Sequence, residues 1–242
     1  MLRHHVCALI FRISFFSASI YVYFTDIEAL DFTAIPRFNF GGVLLIVIMF
    51  VFVIGMLFRI IPNKRIAIGA GKHYSCFYTA SVDFFDEEEI ITAQKRLHRG
   101  AFLSGLGWAV VTALLLIVLV IFNALTPAAV VIIALFYSVI DLVFILTFCP
   151  FRVLFMRNRC CTVCRIYNWD YFMMCAPLIV FPSFYSVALT LMSAVVLIRW
   201  ELAIKKNVHY FMPETNENLK CENCKDGLTS QCEGENSGCI AF

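Results

Sequence analysis

Two cysteine pairs, Cys161-Thr162-Val163-Cys164 and Cys221-Glu222-Asn223-Cys224, have the spacing of metal knuckles. A C-x-x-C turn lets both sulfurs reach one ion, and two such turns supply four thiolates to tetrahedral zinc at about 2.3 Å each. Nine of the eleven cysteines fall from Cys149 onward, a clustering that fits site chemistry better than scattered core packing. The expectation is a structural zinc site with Cys161, Cys164, Cys221 and Cys224 as ligands. Zinc stands ahead of iron–sulfur because nothing else points to electron transfer. Against a shared ion, the gap from Arg165 to Lys220 is much longer than in a compact zinc ribbon and contains an apolar segment. Cys160 adjoins Cys161 and could replace it. Cys149, before Pro150, and Cys7, Cys76 and Cys175 read as buried apolar thiols.

Two other chemistries compete. In a thiol redox protein, Cys221 and Cys224, with Cys232 and Cys239, would cycle between dithiol and disulfide on the outer face. Lys220 and Lys225 flank that pair and would lower a thiol pKa, but no thioredoxin-like βαβ pattern surrounds it. The third candidate is Asp141, which falls in the middle of an apolar run. A carboxylate there is costly unless it is paired, protonated or facing water, so a transporter or an ion or proton path using Asp141 is one reading. The other is a bond to a neighbouring helix through Tyr137, Ser138 or Arg12. The ending Cys239-Ile240-Ala241-Phe242 fits a prenylation pattern, but an added anchor contributes little to a chain that already spans a bilayer. No nucleophile–base pair, phosphate-cradling glycine loop or metal site with an open position stands out, so an enzyme lacks support.

The elements that must position these residues are apolar. With 61% hydrophobic and 15% charged residues and a mean hydropathy of +0.84, the chain has too little polar surface for a water-soluble globule. The net charge of +2 gives no reason to expect nucleic acid as a partner. Five apolar runs follow in order. Val6–Phe24 carries Arg12 and reads as an uncleaved span in preference to a signal sequence. Gly41–Ile61 is long enough to cross a hydrocarbon core of about 30 Å. A helix from Asp86, with acids in its first turn and Lys95, Arg96 and Arg99 near its end, joins the next span. Ala101–Asn123 and Ala128–Phe148 make an antiparallel hairpin, with Thr126 as cap and Pro127 in the first turn. Ala101, Gly105, Ala109 and Ala113 form a small-residue stripe for helix packing.

The last run, Tyr171–Ile198, contains Pro177 and Pro182 and would measure about 42 Å as one straight helix. Its path decides the metal question, since one ion needs both cysteine pairs on one side of the membrane. A single crossing forbids that, whereas a re-entrant segment permits it. Lysine and arginine in short loops set orientation. Residues 62–100 and 149–170 are basic, whereas 26–40 is acidic, which puts both basic loops and the amino terminus inside. Arg199, Lys205 and Lys206 favour return of the last run to that face.

The stretch Cys149 to Met174, with Arg157-Asn158-Arg159-Cys160-Cys161 and Asn168-Trp169-Asp170 within it, resembles a group of uncharacterised bacterial membrane proteins of clostridial type. The tail Asn216-Glu217-Asn218-Leu219-Lys220-Cys221-Glu222-Asn223-Cys224 is similar to the same group's ending. No activity comes with the resemblance; it implies a bacterial inner membrane.

The expected fold is therefore an all-α integral membrane bundle: four full spans plus a re-entrant or sharply bent fifth element. Residues 1–198 make the membrane domain and 199–242 a cytoplasmic tail. Zinc would clamp the 157–170 loop to that tail in a scaffold, sensor or partner-recruiting protein, binding free energy offsetting the ordering of two polar segments. The lipid bilayer is the one partner that composition specifies.

Overall fold

A computed structural model of the chain describes residues 2–34, 38–60, 78–81, 87–156, 164–212 and 214–220. Among the described residues six α-helices follow in order: α1 (Leu2–Thr25), α2 (Phe40–Ile60), α3 (Glu87–Ile121), α4 (Pro127–Leu146), α5 (Asp170–Cys175) and α6 (Phe184–Lys206). All but the short α5 are long and apolar enough to cross a bilayer. The protein is thus an all-α, multi-pass membrane bundle.

α4 is the hub. Half of its most apolar stretch is buried inside the protein, against 11% for α1 and α3. Thr126 accepts a hydrogen bond from the Ala129 amide at 3.1 Å and Pro127 occupies the first turn, as the sequence leads one to expect. α1 runs antiparallel to α4, with Phe16 against Phe136 and Arg12 level with Ser138 and Asp141. On α2 the positions Leu45, Ile48, Phe52 and Met56 face inward, while Val43, Val47, Phe50 and Phe58 face out. That period gives one protein-facing stripe and one lipid-facing stripe. α1, α2, α4 and the segment after Trp169 share one core through Val22, Leu45, Met56, Val130, Leu178 and Leu189.

The last apolar run is a hairpin of unequal limbs. α5 and a tight turn of helix, Ala176–Val180, descend; the chain breaks at Phe181-Pro182-Ser183, and α6 returns. Thr190 lies beside Cys175 and Trp200 beside Arg165, so the limbs are antiparallel. Leu178, just before the turn, packs among Leu45, Val131 and Leu189, within the first two turns of α2 and α4. A break in the helix frees backbone groups that need partners. Serine supplies the partners instead: the Ser186 amide donates to Ser183 Oγ at 3.2 Å, the Ser183 amide to Ser186 Oγ at 2.8 Å, and Ser186 Oγ to the Phe181 carbonyl at 3.0 Å. The last run is thus a helical hairpin and not one straight helix, both ends of the hairpin lie at one end of the bundle, and its second limb, α6, is by itself long and apolar enough to cross. The reason for the break is Pro182, which cannot donate to a continuing helix, placed next to a self-sufficient serine cap.

α3 is attached differently. Its buried positions Ala101 and Ser104 lie near Gly100 and Gly105, against Phe151–Met156 and Trp169. A Cβ on Gly100 would come within 2.7 Å of the Phe155 carbonyl oxygen, so glycine permits that approach. The stripe expected to pack along the helix does so only in its first half, for Ala109 and Ala113 face outward. α6 continues through residues 198 and 199, where the tail was expected to begin, to Lys206.

Candidate functional site

The hairpin's two ends are tied together by side chains. Arg165 donates to Glu201 through Nε at 3.3 Å and through Nη2, the Trp169 indole donates to Glu201 Oε1 at 2.8 Å, and the Trp200 indole donates to the Arg165 carbonyl at 2.7 Å. Phe211 stacks edge-on against Trp200, which brings the polypeptide after α6 onto the same surface. The tail continues to Ala80, with which Asn216 forms an isolated β-bridge. The Glu217 amide donates to the Thr79 carbonyl at 2.9 Å and the Ser81 amide to the Thr215 carbonyl at 3.1 Å. Arg96 on α3 reaches Glu214 at 3.2 Å. Loop and tail therefore meet at one end of the bundle, as the zinc proposal required. Among the described residues Glu201 and Trp200 tie the loop to α6, Phe211 packs the tail onto that cluster, and a bridge ties the tail to 78–81.

Cys164 is 3% exposed, in a cluster with Ala101 and Met156. Cys161, Cys221 and Cys224, the other expected ligands, lie outside the described residues, as do Cys76, Cys160, Cys232, Cys239 and the helix-starting Asp86. Among the described residues no group of three or more histidine, cysteine or acidic side chains is placed to hold a metal ion. Cys175 is buried as expected, but Cys7 is exposed on α1, a correction explained by its place on the outward face of that helix.

Among the described residues one ion pair lies within the apolar body and a second at the end of α2, where it meets the hairpin. Arg12 on α1 donates to Asp141 Oδ2 at 3.2 Å and to the Ser138 carbonyl at 2.6 Å. Asp141 is thus bonded to a neighbouring helix, one of the two roles its position allowed. Arg59, in the last turn of α2, donates to Asp170 Oδ2 at 2.9 Å and Asn168 Oδ1 at 2.6 Å. Its guanidinium lies 4.5 Å from the Tyr167 ring centre, a cation–π contact. Burial pushes the Tyr167 phenol above its usual range, with Arg59 opposing part of that rise. Pairing matters because a single charge at the bilayer centre costs roughly 2.5–3.5 kcal/mol even on insertion scales.

Both carboxylates line one cavity of about 370 Å³ between α3, α4 and α5. Its wall is otherwise apolar, including Phe136, Ile140, Phe144, Met173 and Met174. Val111 and Phe136 line it and are themselves exposed, which puts its mouth on the flank between α3 and α4. Beside it Thr112 on α3 and Tyr137 on α4 share a hydrogen bond at 2.9 Å. Two lining groups are buried without a hydrogen-bond partner among the described residues: Asp170 Oδ1 and the Trp108 indole N–H. The Asp170 side chain is 3% exposed.

Sequence reasoning singled out Asp141 and passed over Asp170, Trp108 and Glu201. Asp170 sits where an apolar run starts and reads as a boundary acid; its approach to Arg59 depends on α2 and the hairpin meeting. The available signal was Glu201, the lone acid of its helix, between Trp200 and Leu202.

The fold and the paired intramembrane charges define a multi-pass helical membrane protein with an internal, lipid-flanked cavity. Compared with protein families, curated proteins and solved structures, the chain matches none of them.

Proposed function

We propose that this chain is a small membrane-embedded binding protein, of carrier type, that takes an amphipathic molecule from the bilayer through the gap between α3 and α4. The observation that carries the reading is the cavity itself: an apolar wall on which Asp141 and Asp170 converge. Small-molecule sites have this composition, mostly apolar with a few placed polar groups, and volumes of about 300–1,000 Å³. Carriage of a solute is the extension of binding that the Arg12–Asp141 pair within the apolar body favours, since such pairs concentrate along substrate paths. The described basic residues Arg59, Lys95, Arg96, Arg99, Arg165, Lys205 and Lys206 support a cytoplasmic setting for the end where loop and tail meet, in a bacterial inner membrane.

The test is to fill the cavity. Protein in phosphatidylcholine nanodiscs is titrated with a brominated single-chain amphiphile while tryptophan emission is followed. Saturable quenching that disappears in Ile140→Trp supports the reading. Quenching equal to that from brominated bulk lipid rejects it.

A second reading, the zinc clamp, is favoured by one observation: Cys164 and Lys220, the described neighbours of the two cysteine pairs, belong to segments at the same end of the bundle. Equimolar zinc in purified protein, lost on changing Cys161, Cys164, Cys221 or Cys224 to serine, would support a structural metal. Metal-free wild type would reject it.

A further inference from the structure

The start of α3 carries two cations that no acid answers. Lys95 and Arg99 are four residues apart on the helix, which sets their Cβ atoms side by side at about 5–6 Å, and both side chains are exposed. Like charges so placed repel. Among the described residues neither has an acid partner: Glu214 is taken by the neighbouring Arg96, while Asp170, Glu201 and Glu217 are held by Arg59, Arg165 and Lys220. The acids of α3 itself, Glu87, Glu88 and Glu89, stand in its first turn, beyond i,i+4 reach of either cation. The face that carries Lys95 and Arg99 continues into the apolar part of the helix as Phe102, 69% exposed, and Leu106, 50% exposed. Its opposite face, with Leu97, Ala101 and Ser104, packs inward. Helix side chains lean toward the helix N-terminus, so the two cations reach away from the apolar stretch and the two apolar side chains lie beneath them.

We propose that this outward face of α3 binds an anionic phospholipid of the surrounding leaflet, its phosphate held between Lys95 and Arg99 and an acyl chain laid along Phe102 and Leu106. Arg99 directly precedes Gly100 and Ala101, where the apolar stretch begins, so the cations stand at head-group depth. The guanidinium offers a planar fork to two phosphate oxygens and the ammonium a movable point charge. One shared phosphate replaces their mutual repulsion with charge-assisted bonds. The apolar half of the stripe is what makes the ligand a lipid and not free phosphate. This site is separate from the cavity, because Trp108, which lines the cavity, projects from the other side of α3. Its effect is to fasten the start of α3 to the head-group layer.

The full chain is reconstituted in nanodiscs of equal parts phosphatidylglycerol and phosphatidylcholine, moved into mild detergent, and the lipids it retains are counted by native mass spectrometry. Phosphatidylglycerol should be retained in preference by on the order of tenfold, since each cation near an anionic head contributes roughly fivefold. Lys95→Gln with Arg99→Gln should bring the ratio close to one, and Lys95→Arg should preserve it. Both replaced side chains are exposed and glutamine is a good helix former, so the double variant keeps its fold. Lys205→Gln with Lys206→Gln removes two exposed cations from α6 and should leave most of the preference intact. Glycerol 3-phosphate, a head without a chain, should not displace the retained lipid. Equal retention of the two lipids by the unaltered chain, or a preference that survives in the Lys95 and Arg99 double variant, would overturn the site. An equal loss in the α6 variant would overturn it too, by showing a response to net charge alone, and displacement by glycerol 3-phosphate would overturn the lipid as its ligand.

Discussion

The two sides of the bundle are held by different means. α1, α2, α4 and the hairpin share one continuous core and are pinned by Arg12–Asp141, Arg59–Asp170 and the Arg165–Glu201–Trp169 cluster. α3 stays outside that core and is seated near Gly100 and Gly105, with the Thr112–Tyr137 bond further along. Lipid is as apolar as leucine, so helices in a membrane are held by close packing and by polar bonds, not by hydrophobic exclusion. Where α3 lacks small residues on its inner face it does not close on α4, and the cavity is the space that results. A loosely seated helix beside a pinned core is a physically sensible place for a ligand to enter.

That contrast can be broken most severely at Arg59. Arg59→Met leaves Asp170 buried without a counter-charge, and the expected loss is about 3–5 kcal/mol in denaturant unfolding of the micellar protein. The double variant Arg59→Met with Asp170→Leu should recover most of that loss; no recovery would mean that Arg59 acts through something other than its pair. Next in size, Glu201→Gln weakens charged hydrogen bonds at the hairpin base and should cost about 1.5–3 kcal/mol by the same measurement. An unchanged midpoint would show that stacking of Phe211 on Trp200 suffices to hold the tail.

The α3 side should respond to shape alone. Gly100→Ala drives a methyl into the Phe155 carbonyl and should cost roughly 1–3 kcal/mol, whereas Ala109→Leu, on the same stripe but facing outward, should change stability by less than about 0.5 kcal/mol. Equal effects would imply that the stripe packs along its whole length. Among the substitutions expected to destabilise, the mildest is Ser81→Ala, which removes one partly buried hydrogen bond to Glu217 at 2.9 Å and should cost about 0.5–1.5 kcal/mol. Proteolysis of the tail is the sensitive readout there.

Much of this arrangement is legible in local chemistry. The Thr126-Pro127 start of α4, the long α2 and the break at Pro182 follow from residue type and spacing, because capping, apolar length and the missing proline N–H act within a few positions. Asp141 is conspicuous as an acid in an apolar run. The hairpin's return was one of two open paths; lysine and arginine counts favoured it, and the Ser183–Ser186 cap gives the broken backbone its partners.

Composition and periodicity alone therefore determined a multi-pass helical bundle with its charges confined to known places. Only the tertiary structure decided that Arg12 meets Asp141, that Arg59 meets Asp170, that Asn216 bridges to Ala80, and that α3 leaves a gap beside Trp108. The physical reason is range: caps and apolar runs are written over a single turn or span, while each of those meetings joins residues more than a hundred positions apart or depends on where a whole helix comes to rest.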